Sequence, residues 1–169
     1  MSFGFAVWLT GLSGSGKSAI ARELVRLLHE RGGDVSVLES DVMRTQLTPF
    51  ARYDEGDRDF FYGALADIGV ALVLRGRTVV FDATANRRRY RDSARQRIAR
   101  FCEVHVDTPL EICRARDTKG LYRQGAALPG MQAPYEPPPA PEVVVHGDGG
   151  TPAQAAARIM EQLSGRGWL

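Results

Sequence analysis

The chain has 169 residues, 22 Lys and Arg against 20 Asp and Glu, a net charge of +2, and 44% hydrophobic residues. That is the size and balance of one globular domain, and it argues against long disorder and against the uniformly basic surface of a dedicated nucleic-acid binder. No apolar run reaches the ~18 residues of a membrane span, the N-terminal stretch has neither a basic leader nor a cleavage site, and Cys102 and Cys113 lack metal or disulfide spacing, so a cytoplasmic protein without membrane or nucleic-acid partners is expected.

In chain order, 5–9 (FAVWL) is a short apolar run that ends at a Gly-rich turn, which predicts a buried strand. Ile20, Leu24, Leu27 and Leu28 recur at helical spacing over 17–31, and Gly32-Gly33 stops that helix. A second strand is predicted over 35–38, a long helix over 57–74, and a third strand over 78–81. The segment 87–100 reads as a helix with a heavily basic face, 102–106 as a strand, and 109–116 as a helix opened by Pro109. A fifth strand over 143–145 and a last helix over 152–163 complete the pattern. Strands spaced by helices imply a three-layer α/β fold, a five-stranded parallel sheet with helices on both faces. No boundary or repeat divides residues 1–169. The Gly- and Pro-rich stretch of about 117–141 is too long for an idle connector and reads as a lid.

Gly11-Leu-Ser-Gly-Ser-Gly-Lys17-Ser18 fits GxxxxGK[ST] without a mismatch, between a strand and a helix. Glycines let successive backbone amides turn toward phosphate oxygens, and the helix N-terminus adds positive potential. The expected nucleotide-binding residues are Gly11, Ser13, Gly14, Ser15, Gly16, Lys17, Ser18 and Ala19. Lys17 would reach the β- and γ-phosphates, and Ser18 would hold Mg²⁺. The chain lacks the NKxD motif of guanine-reading switch proteins and is too short for a large ATPase, so a small-molecule kinase using ATP is expected. The second predicted strand runs into Glu39-Ser40-Asp41-Val-Met-Arg44. Ligands of such sheets lie beyond the carboxyl ends of the strands. Asp41 is therefore placed to orient an acceptor hydroxyl and take its proton, or to act through the metal; alternatively it caps a short helix.

These segments, with Trp8–Ser18, the EGDR of 55–58, VDTPLEICRARDTKGLYR over 106–123 and APYEPPPAPEVVV over 133–145, resemble the adenylylsulfate kinase family along nearly the whole chain. The resemblance implies transfer of the ATP γ-phosphate to the 3′-hydroxyl of adenosine 5′-phosphosulfate. It also implies an anionic, nucleotide-like small-molecule partner and a homodimer. By the same resemblance Asp41 and Arg44 lie near the acceptor, and Tyr53 stands where the family stacks a Phe on the substrate adenine. Arg58 and Arg88 contact the substrate, and Arg116, Asp117, Lys119, Gly120, Leu121 and Tyr122 form the lid over both nucleotides. Of these, Arg116 is assigned to ATP, and Lys119, Gly120 and Leu121 to the acceptor.

The departures from the family fall mostly on the acceptor side. Its DGD reads Glu39-Ser40-Asp41, its N-I-R reads Phe61-Tyr62-Gly63, and its FISPYR reads Ala83-Thr84-Ala85-Asn86-Arg87-Arg88. The loop after KGLY is about five residues shorter than in the family, a length set by the resemblance. The family's K-x-F-T-G becomes Ala126-Ala127-Leu128-Pro129-Gly130, leaving Leu128 for the second half of the adenine clamp. Phe61 or Tyr62 would line the acceptor pocket, and Phe60 would pack. Asp82, an addition ending the third strand, stands where many P-loop kinases hold a metal-bound water. Two alternatives stay open: a kinase of this family acting on another small hydroxyl compound, or a non-catalytic nucleotide-binding regulatory module. The remaining arginines of 87–91 read as a solvated face. His29, His105 and His146 have no metal spacing, and nothing resembles a Ser-His-Asp hydrolase.

Overall fold

The computed structural model describes residues 4–117, 119–125, 128–131 and 133–169. Its elements in chain order are β1 (Ala6–Thr10), α1 (Lys17–Glu30), β2 (Val35–Glu39), α2 (Ser40–Leu47), α3 (Glu55–Leu74), β3 (Thr78–Asp82), α4 (Arg88–Arg95), β4 (Phe101–Asp107), α5 (Leu110–Arg116), β5 (Val143–His146) and α6 (Pro152–Gly165). The five strands form one parallel sheet in the order β2-β3-β1-β4-β5. Ala6 of β1 registers with Val79 on one side and Phe101 on the other. The predicted α/β architecture and strand count are what the fold shows.

The two-residue period of β1 divides the core. Phe5, Val7 and Leu9 pack with Ile20, Leu24 and Leu28 of α1 and with Ile159 and Leu163 of α6. Ala6 and Trp8 face the opposite layer, where Phe61 and Leu65 of α3 and Tyr90 and Ala94 of α4 are buried. Trp8 stacks on Phe81 of β3 with ring centroids 4.2 Å apart. The Phe81 ring lies directly on the backbone of α3, and a Cβ at Gly69 would sit 2.1 Å from Phe81 Cζ. Only a residue without a side chain lets this ring and helix meet. The center of the sheet is thereby fixed, and with it the point where β1 releases the phosphate-binding turn.

Three elements differ from expectation. A helix, α2, follows β2 directly; Glu39 is its N-cap, so Asp41 lies in its first turn and is not the cap. α3 starts at Glu55, two residues early, because Asp54 caps it by accepting from the Asp57 amide at 2.9 Å. α4 ends at Arg95 rather than 100. There the Ala94 carbonyl accepts from both Arg97 and Ile98, and the turn lets Ile98 bury against the sheet. α6 starts as its sequence asks, with a Thr151–Gln154 capping box and Pro152 in the first turn.

Candidate active site

The turn after β1 curls over the N-terminus of α1. Gly16 takes a φ of 105°, which an L side chain rarely tolerates. The Lys17 ammonium reaches back to the carbonyls of Gly11 and Leu12, both at 2.8 Å. Burial pulls its pKa from 10.5 down to about 8, against the opposing attraction of Asp82. Ser18 Oγ donates to Asp82 Oδ2 at 2.6 Å, and Asp82 is buried at the end of β3. A hydroxyl that gives its proton to a carboxylate keeps its lone pairs for a hard cation, so this pair suits Mg²⁺. Among the described residues no group of three or more His, Cys, Asp or Glu gathers as a metal cluster. Any metal here would therefore draw on few protein ligands and on substrate phosphates.

The turn is buttressed from outside. Thr108 Oγ1 donates to the Ser15 carbonyl at 2.9 Å and accepts from the Gly147 amide at 3.1 Å. Tyr122 Oη donates to the Ser13 carbonyl at 2.8 Å, and Arg116 reaches the carbonyls of Gly14 and Gly147. Sequence reasoning missed Thr108 and Gly147; the only local signal was a Thr at the end of β4.

A cavity of about 1040 Å³ opens in front of the turn, at the upper end of the roughly 300–1,000 Å³ of single-ligand pockets. Ser13, Gly14, Gly16, Lys17, Ser18, Ala19 and Arg116 line it, as do Asp41, Arg44, Tyr53, Arg58, Asp82, Lys119 and Leu121. Tyr62 and Leu128 line it as expected, and the structure adds Arg22, Arg52, Thr84, Asn86 and Gln124. Five expected residues lie elsewhere. Gly11 and the buried Ser15 support the turn from behind. Phe61 is fully buried beneath the Arg44 guanidinium, 4.0 Å from it to ring centroid. Gly120 turns the backbone behind the lining residues. Arg88 is outside the cavity, its amide on the Glu136 carboxylate and its Nε on the Pro137 carbonyl at 3.2 Å. Ala126 and Ala127 fall outside the described residues.

On the acceptor side Arg44 also faces the rings of Tyr53 and Tyr62, at 5.0 and 5.6 Å. Three aromatic faces hold the guanidinium in place. Tyr62 stacks on Tyr90 at 4.7 Å and accepts from the Ala85 amide at 3.1 Å. Phe60, expected to pack, is 63% exposed. Asp41 is ion-paired with Lys119, which reaches it from the 119–125 segment. That segment is shaped by Asp117, whose carboxylate accepts from the Tyr122 and Arg123 amides at 3.0 and 3.2 Å. Burial pushes its pKa up, but these donors and the Arg123 guanidinium outweigh it and hold the carboxyl below its ordinary range.

Of the arginines of 87–91, Arg88 and Arg89 are exposed and Arg87 is half-buried, but Arg91 departs from the expected solvated face. Arg91 is 1% exposed; it donates to Glu103 at 2.7 Å, to the Ala85 carbonyl at 2.5 Å and to the Glu136 carbonyl at 2.6 Å. Arg87 pairs with Glu55 and Glu136, and Arg89 with Glu55 and Asp59. In an Arg-rich chain a run of arginines carries no sign of which one the core will claim. Only the partners, distant in sequence, decide.

A family model described as Adenylylsulphate kinase matches residues 3–146. The adenylyl-sulfate kinase of Rippkaea orientalis is 36% identical, the match covering 98% of this chain and 94% of that protein. That of Halothermothrix orenii is 35% identical, over 98% and 92%. Among solved structures, the Mycobacterium tuberculosis APS kinase CysC in complex with AMPPNP and APS superposes with a TM-score of 0.90 at 32% identity, covering 97% of this chain and 99% of that one. No helix among the described residues is long and apolar enough to cross a membrane.

Proposed function

The chain belongs to the adenylylsulphate kinase family, and from that premise we propose that it transfers the γ-phosphoryl group of ATP to the 3′-hydroxyl of adenosine 5′-phosphosulfate. The observation that carries this reading is that one cavity is lined both by the phosphate-binding turn and by Asp41, Arg44, Tyr53 and Arg58. Two substrates bound there would meet with the phosphates of one against the hydroxyl of the other.

In this reading Lys17 and the amides of the turn carry the negative charge on the transferring phosphates. An ammonium already stripped of water interacts strongly with them and needs little reorganisation. Ser18, aligned by Asp82, would hold Mg²⁺. Bound there, the metal supplies charge neutralisation across the phosphate oxygens. Asp41 exchanges its Lys119 partner for the acceptor hydroxyl, orients it and takes its proton. Arg44 and Arg58 hold the acceptor's anionic group, and the 117–141 segment closes over both substrates to exclude water. Arg88 has no part in it. We further read residues 1–169 as a single kinase domain working as a cytoplasmic homodimer.

The test is ADP release with Mg-ATP, with and without adenosine 5′-phosphosulfate, while counting the 3′-phosphorylated product. The expected result is product at a kcat/KM above ~10⁴ M⁻¹s⁻¹. ATP binding without that product would assign the site to a different hydroxyl compound. Absence of any phosphoryl transfer would leave a nucleotide-binding module.

A further inference from the structure

Among the described residues three buried side-chain polar atoms have no hydrogen-bond partner: Ser15 Oγ, Arg44 Nη1 and Asn86 Oδ1. Buried polar groups in folded proteins are paired almost without exception, so each orphan calls for a cause. All three belong to the site. Arg44 and Asn86 line the cavity itself.

Asn86 is the informative one. It ends the segment 83–86, which leaves β3 along the cavity and whose backbone is tied down at five groups. Trp8 donates to the Ala83 carbonyl at 3.0 Å, and Thr10 to the Thr84 carbonyl at 2.5 Å. The Ala85 amide goes to Tyr62 and its carbonyl to Arg91. The Asn86 carbonyl accepts from the Glu136 amide at 2.8 Å. These bonds hold Ala85 at a φ of 44°, a conformation that persists only when its surroundings determine it. The orientation of the Asn86 amide is equally fixed: Nδ2 donates to the Pro134 carbonyl at 2.9 Å. A carbonyl takes only a donor, so the group left over is necessarily the oxygen. A residue needed only to tether Pro134 would require a donor and no second polar atom.

We infer that the Asn86 side-chain oxygen recognises the phosphoryl acceptor by taking a hydrogen bond from one of its donors. That donor is an exocyclic base amine or a sugar hydroxyl other than the one phosphorylated. The inference rests on the proposed reading of the cavity and sharpens it. One orphan is a cationic donor, Arg44 Nη1, and the other an acceptor, Asn86 Oδ1. The ligand that satisfies both carries an anion and an N–H or O–H donor, as a nucleotide does. Asn86 is then a specificity residue that the phosphate chemistry itself does not need.

The experiment compares adenosine 5′-phosphosulfate with two analogues, one lacking the 6-amino group and one lacking the 2′-hydroxyl. Each is assayed with wild type, Asn86→Ala and Asn86→Asp, with the KM for ATP as the control for folding. Wild type should show a KM higher by on the order of tenfold for one of the two analogues. Which one it is identifies the donor. Asn86→Ala should lose that discrimination, with all three compounds alike. Asn86→Asp, which keeps an oxygen but gives up the tether to Pro134, should retain it. Equal KM values for all three compounds in wild type would overturn the inference. So would undiminished discrimination in Asn86→Ala, or loss of it in both variants alike, which would mark Asn86 as a tether only. Wild type that does not phosphorylate adenosine 5′-phosphosulfate at all would instead remove the proposed function, before any variant is compared, and the inference with it.

Discussion

The two sides of the cavity are built from different materials. On the phosphate side the working groups are backbone amides, a buried ammonium and a hydroxyl locked to a buried carboxylate. On the acceptor side they are long side chains on the rims of elements: α2 has no fully buried residue, Tyr53 is 51% exposed, and Asp41 and Lys119 are each about half exposed. A site made of backbone geometry is set by the fold itself, because changing it means moving β1 or α1. A site made of rim side chains can be rewritten one residue at a time at little cost to stability. By the family resemblance the departures gather on that second side, at Glu39 and Ser40 on its rim and at the buried Phe61, Tyr62 and Asn86 beneath it.

The sharpest way to break this contrast is at Lys17. Lys17→Ala is expected to lower kcat by about 10³-fold while the protein melts no lower than wild type, since a desolvated charge has been removed. Normal turnover in a folded variant would defeat the assignment of the phosphate side. Asp41→Asn comes next, with an expected loss of about 10²-fold in kcat and an unchanged Kd for ATP. If ATP binding weakened as much as turnover, the two sides would not be separable.

The smallest effect is in pH. The folded pKa of Lys17 is about 8 against an ordinary 10.5. Between those values the unfolded chain holds a proton that the folded chain has released, so through this group stability rises as pH climbs from about 8. Phosphate binding needs the charged form and moves the other way, with ATP affinity falling toward about tenfold per pH unit above 8. Paired melting and ATP titrations from pH 7.5 to 9.5 should show the opposed slopes, and Lys17→Ala should flatten both. An ATP affinity that held steady through this range would mean that Lys17 stays charged.

The same contrast decided what could be read from the sequence. β1, the turn and α1 were legible because one motif specifies backbone shape, and the alternation of Phe5, Val7 and Leu9 with Ala6 and Trp8 sorts the two core layers. Asp41 and Arg44 could be placed near the cavity because they follow a strand end. The surroundings of Arg91 and Arg88 are not legible in the sequence, for one reason. Which arginine turns inward depends on Glu103, Glu136 and the loop carbonyls, whose positions no local pattern encodes. Asn86 carries no signal in the sequence, because an orphaned oxygen exists only once its neighbours are in place.

The long segment between α5 and β5 is fastened at both ends. Arg116 ties its start to Gly14 and Gly147, and Asn86, Arg87 and Arg91 hold Pro134 and Glu136 at its return. Lys119 and Tyr122 add ties to Asp41 and Ser13; past them, the entropy of closing a connection grows only with the logarithm of its length, about 0.6 kcal/mol for each doubling. Adding or removing a few residues there changes the closure entropy by less than one ordinary hydrogen bond contributes. The connection past Tyr122 can therefore be lengthened or trimmed without disturbing either anchor, so its reach is adjustable independently of the turn that faces the phosphates.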